Sequence, residues 1–314
     1  MKISIIGAGN VGGTTAIQLC SLGFNEIVLV DAVPNLAQAK ASDLSDARFT
    51  FKHNYRIQGT DDINKIADSE ILIITAGMPR KPGMTREELI QKNSQIIKGI
   101  CQDIKRLCPQ TIIIVVTNPL DAMTYLVLKE TGLPSHSVLG MGLTLDCARL
   151  ANLIAEDLNV DVTEIEPCII GSHGEAMLPL SRYIKVKGAP LDKHLKPERI
   201  NKLFQRTVRR GAEIVALLGS GSAYFAPSAA ICELTEVIAK DEKRTLPVSA
   251  YLNGEYGLKD LCIGLPCCLG RKGIERIIEL ELNEEEKSAF IKSAESIKKQ
   301  ISSLSQQSRA EIKS

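Results

Sequence analysis

The sequence lacks an excess of charge of either sign: Lys+Arg total 38 against Asp+Glu 37, a net charge of +1. Proteins whose main partner is nucleic acid or an anionic membrane surface concentrate positive charge, and nothing here points to either. Long apolar runs are also missing. The longest, such as Thr111 to Val116, fall far short of the roughly 20 residues that cross a bilayer. Lys2-Ile3-Ser4-Ile5-Ile6 already reads as the first strand, so no removable leader is expected upstream of it. Nine cysteines stand at 20, 101, 108, 147, 168, 232, 262, 267 and 268, yet none forms a CxxC. None lies at a zinc-ligand spacing from the four histidines either. Most occupy apolar runs, where a free thiol behaves as a small hydrophobe. Reduced thiols, no metal site, and a soluble cytoplasmic protein are expected.

What remains is an ordinary globular composition, 44% hydrophobic and 24% charged, in 314 residues, enough for two lobes. The strongest unit opens the chain. A strand pattern at Lys2 to Ile6 meets Gly7-Ala8-Gly9-Asn10-Val11-Gly12, a helical stretch runs to Leu22, and Glu26 to Val30 is a second strand ending on Asp31. Strand, GxGxxG, helix, strand and acid follow the order that a dinucleotide site requires. Gly7 permits the tight turn, Gly9 lets a pyrophosphate approach the backbone, and Gly12 lets the helix pack on the strands. The helix N-terminus then offers free N–H groups to phosphate. Asp31 suits the adenosine ribose hydroxyls and repels the extra phosphate of NADP, so NAD is the expected cofactor.

The α/β alternation continues. Helices are expected at Asn35 to Ala47, Arg86 to Leu107 and Leu120 to Thr131, with strands at Tyr55 to Gly59, Ile71 to Thr75 and Thr111 to Val116. Ser137-Val138-Leu139-Gly140 is expected to close the sheet. The predicted fold class is α/β, a Rossmann doubly wound parallel sheet over residues 1–143, followed by an α+β catalytic domain over 144–314. After the Ile71 strand comes Gly77-Met78-Pro79-Arg80-Lys81-Pro82-Gly83-Met84-Thr85-Arg86, with two arginines six apart between candidate glycine hinges. At a strand's carboxyl end this suits a lid closing over an anion, although a solvated basic loop has the same composition. Thr117-Asn118-Pro119 ends the next strand, where ligands bind in such folds, or where a plain turn sits.

In the second half, Asp146 and Arg149 share a helix face, as a surface ion pair would also do. His173 stands between glycines just after the apolar run Ile169-Ile170, a setting for an acid/base or for an ordinary loop histidine. His53, His136 and His194 read as surface. Arg182 to Lys187 suggests a strand, and Pro197 to Leu218 and Ser222 to Ala239 read as helices. Leu246 to Leu252, Leu258 to Leu269 and Gly273 to Leu280 read as antiparallel strands. Phe290, Ala294, Ile297, Ile301 and Leu304 form one stripe of a terminal helix, packed on the body or, alternatively, forming a coiled-coil seam.

Taken in order, these motifs resemble the lactate/malate dehydrogenase superfamily, and within it the lactate-dehydrogenase-like malate dehydrogenases. The match runs the whole length: GAGNVG at 7 to 12, Asp31, AGMPRKPGMTREEL at 76 to 89, VTNPLD at 116 to 121, LDCAR at 145 to 149, GSHGE at 171 to 175 and GSGSAYFAP at 219 to 227. The resemblance implies NAD-dependent interconversion of (S)-malate and oxaloacetate, with His173 as proton donor and acceptor and Asp146 fixing its tautomer. It implies that Arg149 grips the carboxylate beside the reacting carbon, Arg86 polarises the carbonyl, Asn118 holds cofactor and substrate oxygen, and Ser222 lines the pocket. Gly7, Gly9, Asn10, Val11, Gly12, Asp31, Asn93, Thr117 and Asn118 would contact the cofactor, and a tetramer or dimer is implied. Arg80 stands where malate enzymes carry arginine and lactate enzymes usually carry glutamine; it would pair the distal carboxylate of oxaloacetate, which is costly to bury alone. Glu175, where aspartate is usual, and the bulkier Gly142-Leu143-Thr144 depart from the pattern without removing a reacting group. Rival readings are a lactate or other 2-hydroxy acid dehydrogenase of the same fold, an NAD-dependent glycosidase, and a non-catalytic NAD-binding module.

Overall fold

The computed structural model describes residues 1–78 and 83–311, the side chains at 86 and 305–311 excepted. Its first half carries β1 (Lys2–Ile6), α1 (Asn10–Ser21), β2 (Glu26–Val30), α2 (Leu36–Phe51), β3 (Arg56–Thr60), β4 (Ile71–Ile74), α3 (Arg86–Leu107), β5 (Ile112–Val115), α4 (Leu120–Thr131) and β6 (Val138–Gly140). These strands are parallel, in the order β3-β2-β1-β4-β5-β6. Every residue of β4 and β5 is buried, as strands covered by helices on both faces must be. The chain builds outward from β1 to β3, then returns to the other side of β1 with β4. That reversal opens a crevice at the carboxyl ends of β1 and β4, where ligands bind in doubly wound sheets.

Local chemistry fixes where α3 begins. The Thr85 hydroxyl accepts the Glu88 N–H at 3.1 Å, and the Glu88 carboxylate accepts the Thr85 N–H at 2.8 Å. This reciprocal cap is reinforced by Glu87 and Glu88 in the first turn and by Lys105 and Arg106 in the last, each matched to the helix dipole.

The second half contains α5 (Gly142–Leu158), β7 (Ile165–Glu166), β8 (Ile169–Gly171), β9 (Met177–Pro179), β10 (Lys185–Val186), β11 (Ala189–Pro190), α6 (Pro197–Leu218), α7 (Phe225–Ala239), β12 (Arg244–Asn253), β13 (Lys259–Gly270), β14 (Gly273–Ile277) and α8 (Glu284–Glu311). It corrects the expectation that residues 137–140 close the sheet. The outer edge of β6 pairs antiparallel with β12 at Gly140 and Ser249, and the sheet runs on through β13, β8 and β9, with β14 on β13. The reason is backbone satisfaction: the middle of β12, Val248 to Ala250, is buried, and β6 supplies the hydrogen-bonding edge that it needs.

Other boundaries moved for identifiable reasons. Residues 182–187 are strand only at Lys185–Val186. Ser181–Tyr183 makes one 3-10 turn instead, because its side chains are tied elsewhere: Arg182 donates to Glu286 at 2.8 Å and the Tyr183 hydroxyl to the Glu281 carbonyl at 2.8 Å. Helix α7 starts at Phe225, leaving Ser222 in the connector, and α5 starts three residues before Leu145. The terminal stripe packs inward, with Phe290, Ala294, Ile297 and Leu304 buried where α8 lies on α3, α4 and β13. Phe290 is fully buried, its ring 4.9 Å from that of Tyr256. Phe290→Ala is expected to destabilise the protein by about 3–5 kcal/mol, the range for truncating a buried aromatic. Chemical denaturation of wild type and variant measures it, and a change below about 1 kcal/mol contradicts the packing described.

Candidate active site

The crevice is built from its glycine turn upward. Gly7 holds φ of 112°, a conformation that suits glycine, and a Cβ at Gly12 would sit 1.9 Å from the Gly7 carbonyl oxygen. Both positions are therefore closed to side chains. A Cβ at Gly9, by contrast, would meet nothing within 4 Å, so open space lies over that backbone. No side chain caps α1 and no acid occupies its first turn, so the N–H groups of Asn10, Val11 and Gly12 present a positive helix end. Asp31 closes the turn from behind, accepting the Ala8 N–H at 2.6 Å and the Val33 N–H at 2.9 Å. Each of its oxygens keeps a further lone pair for a ribose hydroxyl. Besides the ribose contact that the sequence predicts, Asp31 therefore shapes the loop itself. Lys40, which the sequence reading did not single out, donates to the Gly9 carbonyl at 3.0 Å from α2. These features fit a dinucleotide pyrophosphate.

The carboxyl ends of β4 and β5 are laced together beside this turn. The Thr117 hydroxyl donates to the Ala76 carbonyl at 2.6 Å. Buried Asn93, on α3, accepts the Met78 N–H at 2.8 Å and donates to the carbonyls of Asn118 at 2.7 Å and Met78 at 3.3 Å. Both amide hydrogens of Asn93 are thus engaged by backbone, which gives it a fastening part at the base of the basic loop. Asn118 is exposed at the turn, and its peptide bond to Pro119 is cis. Arg80 and the side chain of Arg86 lie outside the described residues. Ser222 is exposed between α6 and α7.

The second half brings three expected residues together. Asp146, with no exposed side-chain surface, lies 2.7 Å from Nδ1 of His173 and 3.3 Å from Nη1 of Arg149. What could have been a surface pair is a buried carboxylate bridging an imidazole and a guanidinium. His173 and Arg149 keep 18% and 13% of their side-chain surface exposed, so each presents one edge to solvent. The Nε atom of Arg149 is buried with no hydrogen-bond partner among the described residues. Burial pulls the His173 imidazole down, but Asp146, by charge and hydrogen bond, overrides it and holds the ring above the ordinary histidine value. The approach is tight: a Cβ on Gly142 would come within 2.6 Å of the His173 Cβ. Glycine at the first position of α5 is thus required by the histidine loop.

Two polar groups under this assembly had no part in the sequence reading. Asp121, the last residue of VTNPLD, is buried and accepts the His173 N–H at 2.9 Å and the Ser249 hydroxyl at 2.6 Å. Its signal was an acid placed just after a strand-end turn, but nothing local distinguished it from a helix N-terminal charge. Among the described residues, no group of three or more His, Cys, Asp or Glu could hold a metal ion, and no helix is long and apolar enough to cross a membrane.

Comparison with known proteins agrees with this construction. Residues 1–140 match the lactate/malate dehydrogenase NAD-binding domain and residues 143–307 match the lactate/malate dehydrogenase alpha/beta C-terminal domain. A malate dehydrogenase of Methanosarcina mazei is 48% identical over 304 residues, covering 97% of this chain and 99% of its own. Among solved structures, the malate dehydrogenase of Salinibacter ruber superposes with a TM-score of 0.94 at 40% identity, covering 99% of both chains. A lactate dehydrogenase from Eimeria maxima, solved with NADH and oxamate, also gives a TM-score of 0.94, at 36% identity, covering 97% of this chain and 94% of its own. The chain belongs to the lactate/malate dehydrogenase family, and its cofactor is NAD.

The glycine turn and Asp31 fix a cofactor preference. A 2′-phosphate brought to Asp31 meets its carboxylate, so NADH is expected to exceed NADPH by at least about tenfold in kcat/KM, about 1.4 kcal/mol. Steady-state rates with the two cofactors check this, and equal use of both would contradict it.

Proposed function

We infer that the protein is an NAD-dependent malate dehydrogenase that interconverts (S)-malate and oxaloacetate. The observation that carries the reading is the buried bridge from Asp146 to His173 and Arg149, in a chain whose dinucleotide turn follows a strand of the same sheet. NADH, when bound, supplies the hydride that adds to the carbonyl carbon of the 2-oxo acid. His173 does the rest of the proton chemistry. With Nδ1 held by Asp146, its Nε2–H is the end left to donate to the developing alkoxide during reduction, and neutral Nε2 accepts that proton during oxidation. Arg149 offers the exposed edge of its planar fork to the carboxylate next to the reacting carbon. Arg86 polarises the carbonyl, Asn118 orients it, and Ser222 borders the pocket.

The choice of malate over lactate rests on Arg80. Oxaloacetate carries a second carboxylate, and burying it unpaired would cost several kcal/mol; Arg80 is the group that pairs it. The near full-length relatives that bear the name malate dehydrogenase support the same choice. The same reading includes a boundary between the cofactor and catalytic halves near residue 143, a homo-oligomer (tetramer or dimer), and a cytoplasmic location.

Because Asp146 raises His173 above an ordinary histidine, the sign of the pH dependence is fixed. Reduction needs the imidazolium, so its kcat/KM is full below that raised midpoint and falls as pH climbs through it; oxidation does the reverse. His173→Asn should abolish most turnover while leaving NADH binding intact, as followed by cofactor fluorescence. Near-normal turnover in that variant would remove His173 from the proton chemistry.

The substrate is tested at Arg80. Arg80→Gln is expected to lower kcat/KM for oxaloacetate by roughly 100-fold, as loss of a desolvated charge-assisted pair does, while pyruvate turnover holds or rises. Measuring both substrates in wild type and variant gives the ratio, and a ratio that does not move means that Arg80 is not the discriminator. A wild type that oxidises NADH with pyruvate but not with oxaloacetate sinks the malate assignment outright.

A further inference from the structure

Asp121 is a carboxylate with 4% of its surface exposed, a separate acid from the Asp146 that bridges His173 and Arg149. One oxygen accepts the main-chain N–H of His173 at 2.9 Å, and the other accepts the hydroxyl of Ser249 at 2.6 Å. Those two contacts join three separate parts of the chain. Asp121 lies in the first turn of α4, three residues after Asn118; His173 follows β8; Ser249 lies in β12 opposite Gly140 of β6. We propose that Asp121 is a positioning residue for His173, clamping the histidine loop to the Asn118 turn and setting both the placement and the protonation of the imidazole ring. The inference deepens the reading of His173 as the acid/base and rests on it.

Three physical points support it. A hydrogen bond to a main-chain N–H fixes the height of the loop itself, which the Nδ1 contact with Asp146 cannot do, because that contact constrains only the ring. A second negative charge beneath the histidine also favours the imidazolium that reduction requires. Finally, a buried carboxylate with only neutral donors would be expensive, and a cationic neighbour is what would keep it in place. The ionisable groups around the pair are few. Helix α5 contributes Asp146, which raises His173, and Arg149, which opposes it; β13 contributes the buried Cys262 thiol, which burial and the nearby Asp121 push up. Burial pushes the Asp121 carboxyl itself up to about 6, with the Ser249 hydroxyl and the His173 N–H restraining the rise. Above that value it is charged, and its negative charge acts on the ring.

The test is a histidine titration, which requires no substrate. The chain has four histidines, at 53, 136, 173 and 194, so 15N-histidine spectra are sparse, and His173→Asn identifies the His173 signal. In Asp121→Asn, which keeps size and removes charge, the His173 midpoint is expected to fall by about 0.5 to 1 pH unit, with NADH affinity held within about twofold. An unchanged midpoint in the folded variant would reduce Asp121 to packing and overturn the proposal. Should Asp121→Asn not fold, Ser249→Ala serves instead. It removes one donor to the carboxylate, so Asp121 stays protonated to higher pH and the His173 midpoint must again fall; a fixed midpoint there overturns the proposal equally. Failure of the wild type to reduce oxaloacetate would strike the malate reading alone, because the titration is read without turnover.

Discussion

Asp146 carries a formal charge and has no exposed side-chain surface, so the way it is paired constrains everything around it. An isolated buried carboxylate would cost several kcal/mol, and pairing offsets that only with close geometry on more than one side. Here one oxygen faces His173 and the other faces Arg149 one turn along the same helix. The constraint reaches into the backbone. For the imidazole to lie against the first turns of α5, the chain must begin that helix with a residue that has no side chain, and Gly142 is that residue. A helix with its charged groups on the buried side must also be covered, and α6 passes so close that a Cβ on Gly211 would stand 3.6 Å from the Arg149 guanidinium. The same pairing that makes the carboxylate tolerable also holds one ring nitrogen, and on the proposed reading it leaves the other to react.

Helix α5 begins two residues after β6, and β6 also anchors β12, so the cofactor half and the catalytic half share one sheet. That continuity brings together residues far apart in sequence. Strand β5 ends at the Asn118 turn, β8 ends at the histidine loop, and β12 carries Ser249 between them. Strands packed edge to edge leave little freedom for relative sliding, since a shift of one residue would turn every side chain to the opposite face. Hydride transfer and proton transfer must act on adjacent atoms of one carbonyl, so a cofactor site and an acid/base site on a common sheet suit the chemistry.

The cofactor turn was legible because its information is local: Gly7, Gly9, Gly12 and Asp31 fall in a fixed order on a strand, a turn, a helix and a strand. Helices α3, α4 and α6 were legible for the same reason, each a continuous helical pattern between flanking turns. His173, Asp146 and Arg149 were legible only through resemblance, since an i, i+3 ion pair and a loop histidine have ordinary explanations when each is read alone. What lay out of reach was long-range pairing. No local pattern at Val138 to Gly140 announces that β12, more than a hundred residues later, will take its outer edge. Asp121 was hidden in the same way, because its partners are 52 and 128 residues away. The 182–187 stretch misled because it is apolar enough for a strand, while Arg182 and Tyr183 are drawn off to the first turn of α8 and the segment before it.

A malate dehydrogenase and a lactate dehydrogenase superpose on this chain equally well, so the shared architecture does not select the substrate. The physics explains why. On the proposed reading, imidazole, its carboxylate and the Arg149 fork act on the 2-oxo acid end, which is common to both substrates. The substrates differ only beyond it, by a charge in one case and a methyl group in the other. A methyl group offers a pocket little leverage, about 1–3 kcal/mol, whereas a buried charge offers much more and in both directions. On the proposed reading, Arg80 attracts the substrate with the second carboxylate and is itself left unpaired when the methyl-bearing substrate occupies the site. One guanidinium then supplies both the attraction and the penalty, and specificity needs both. On that reading, a single position redirects an otherwise unchanged fold.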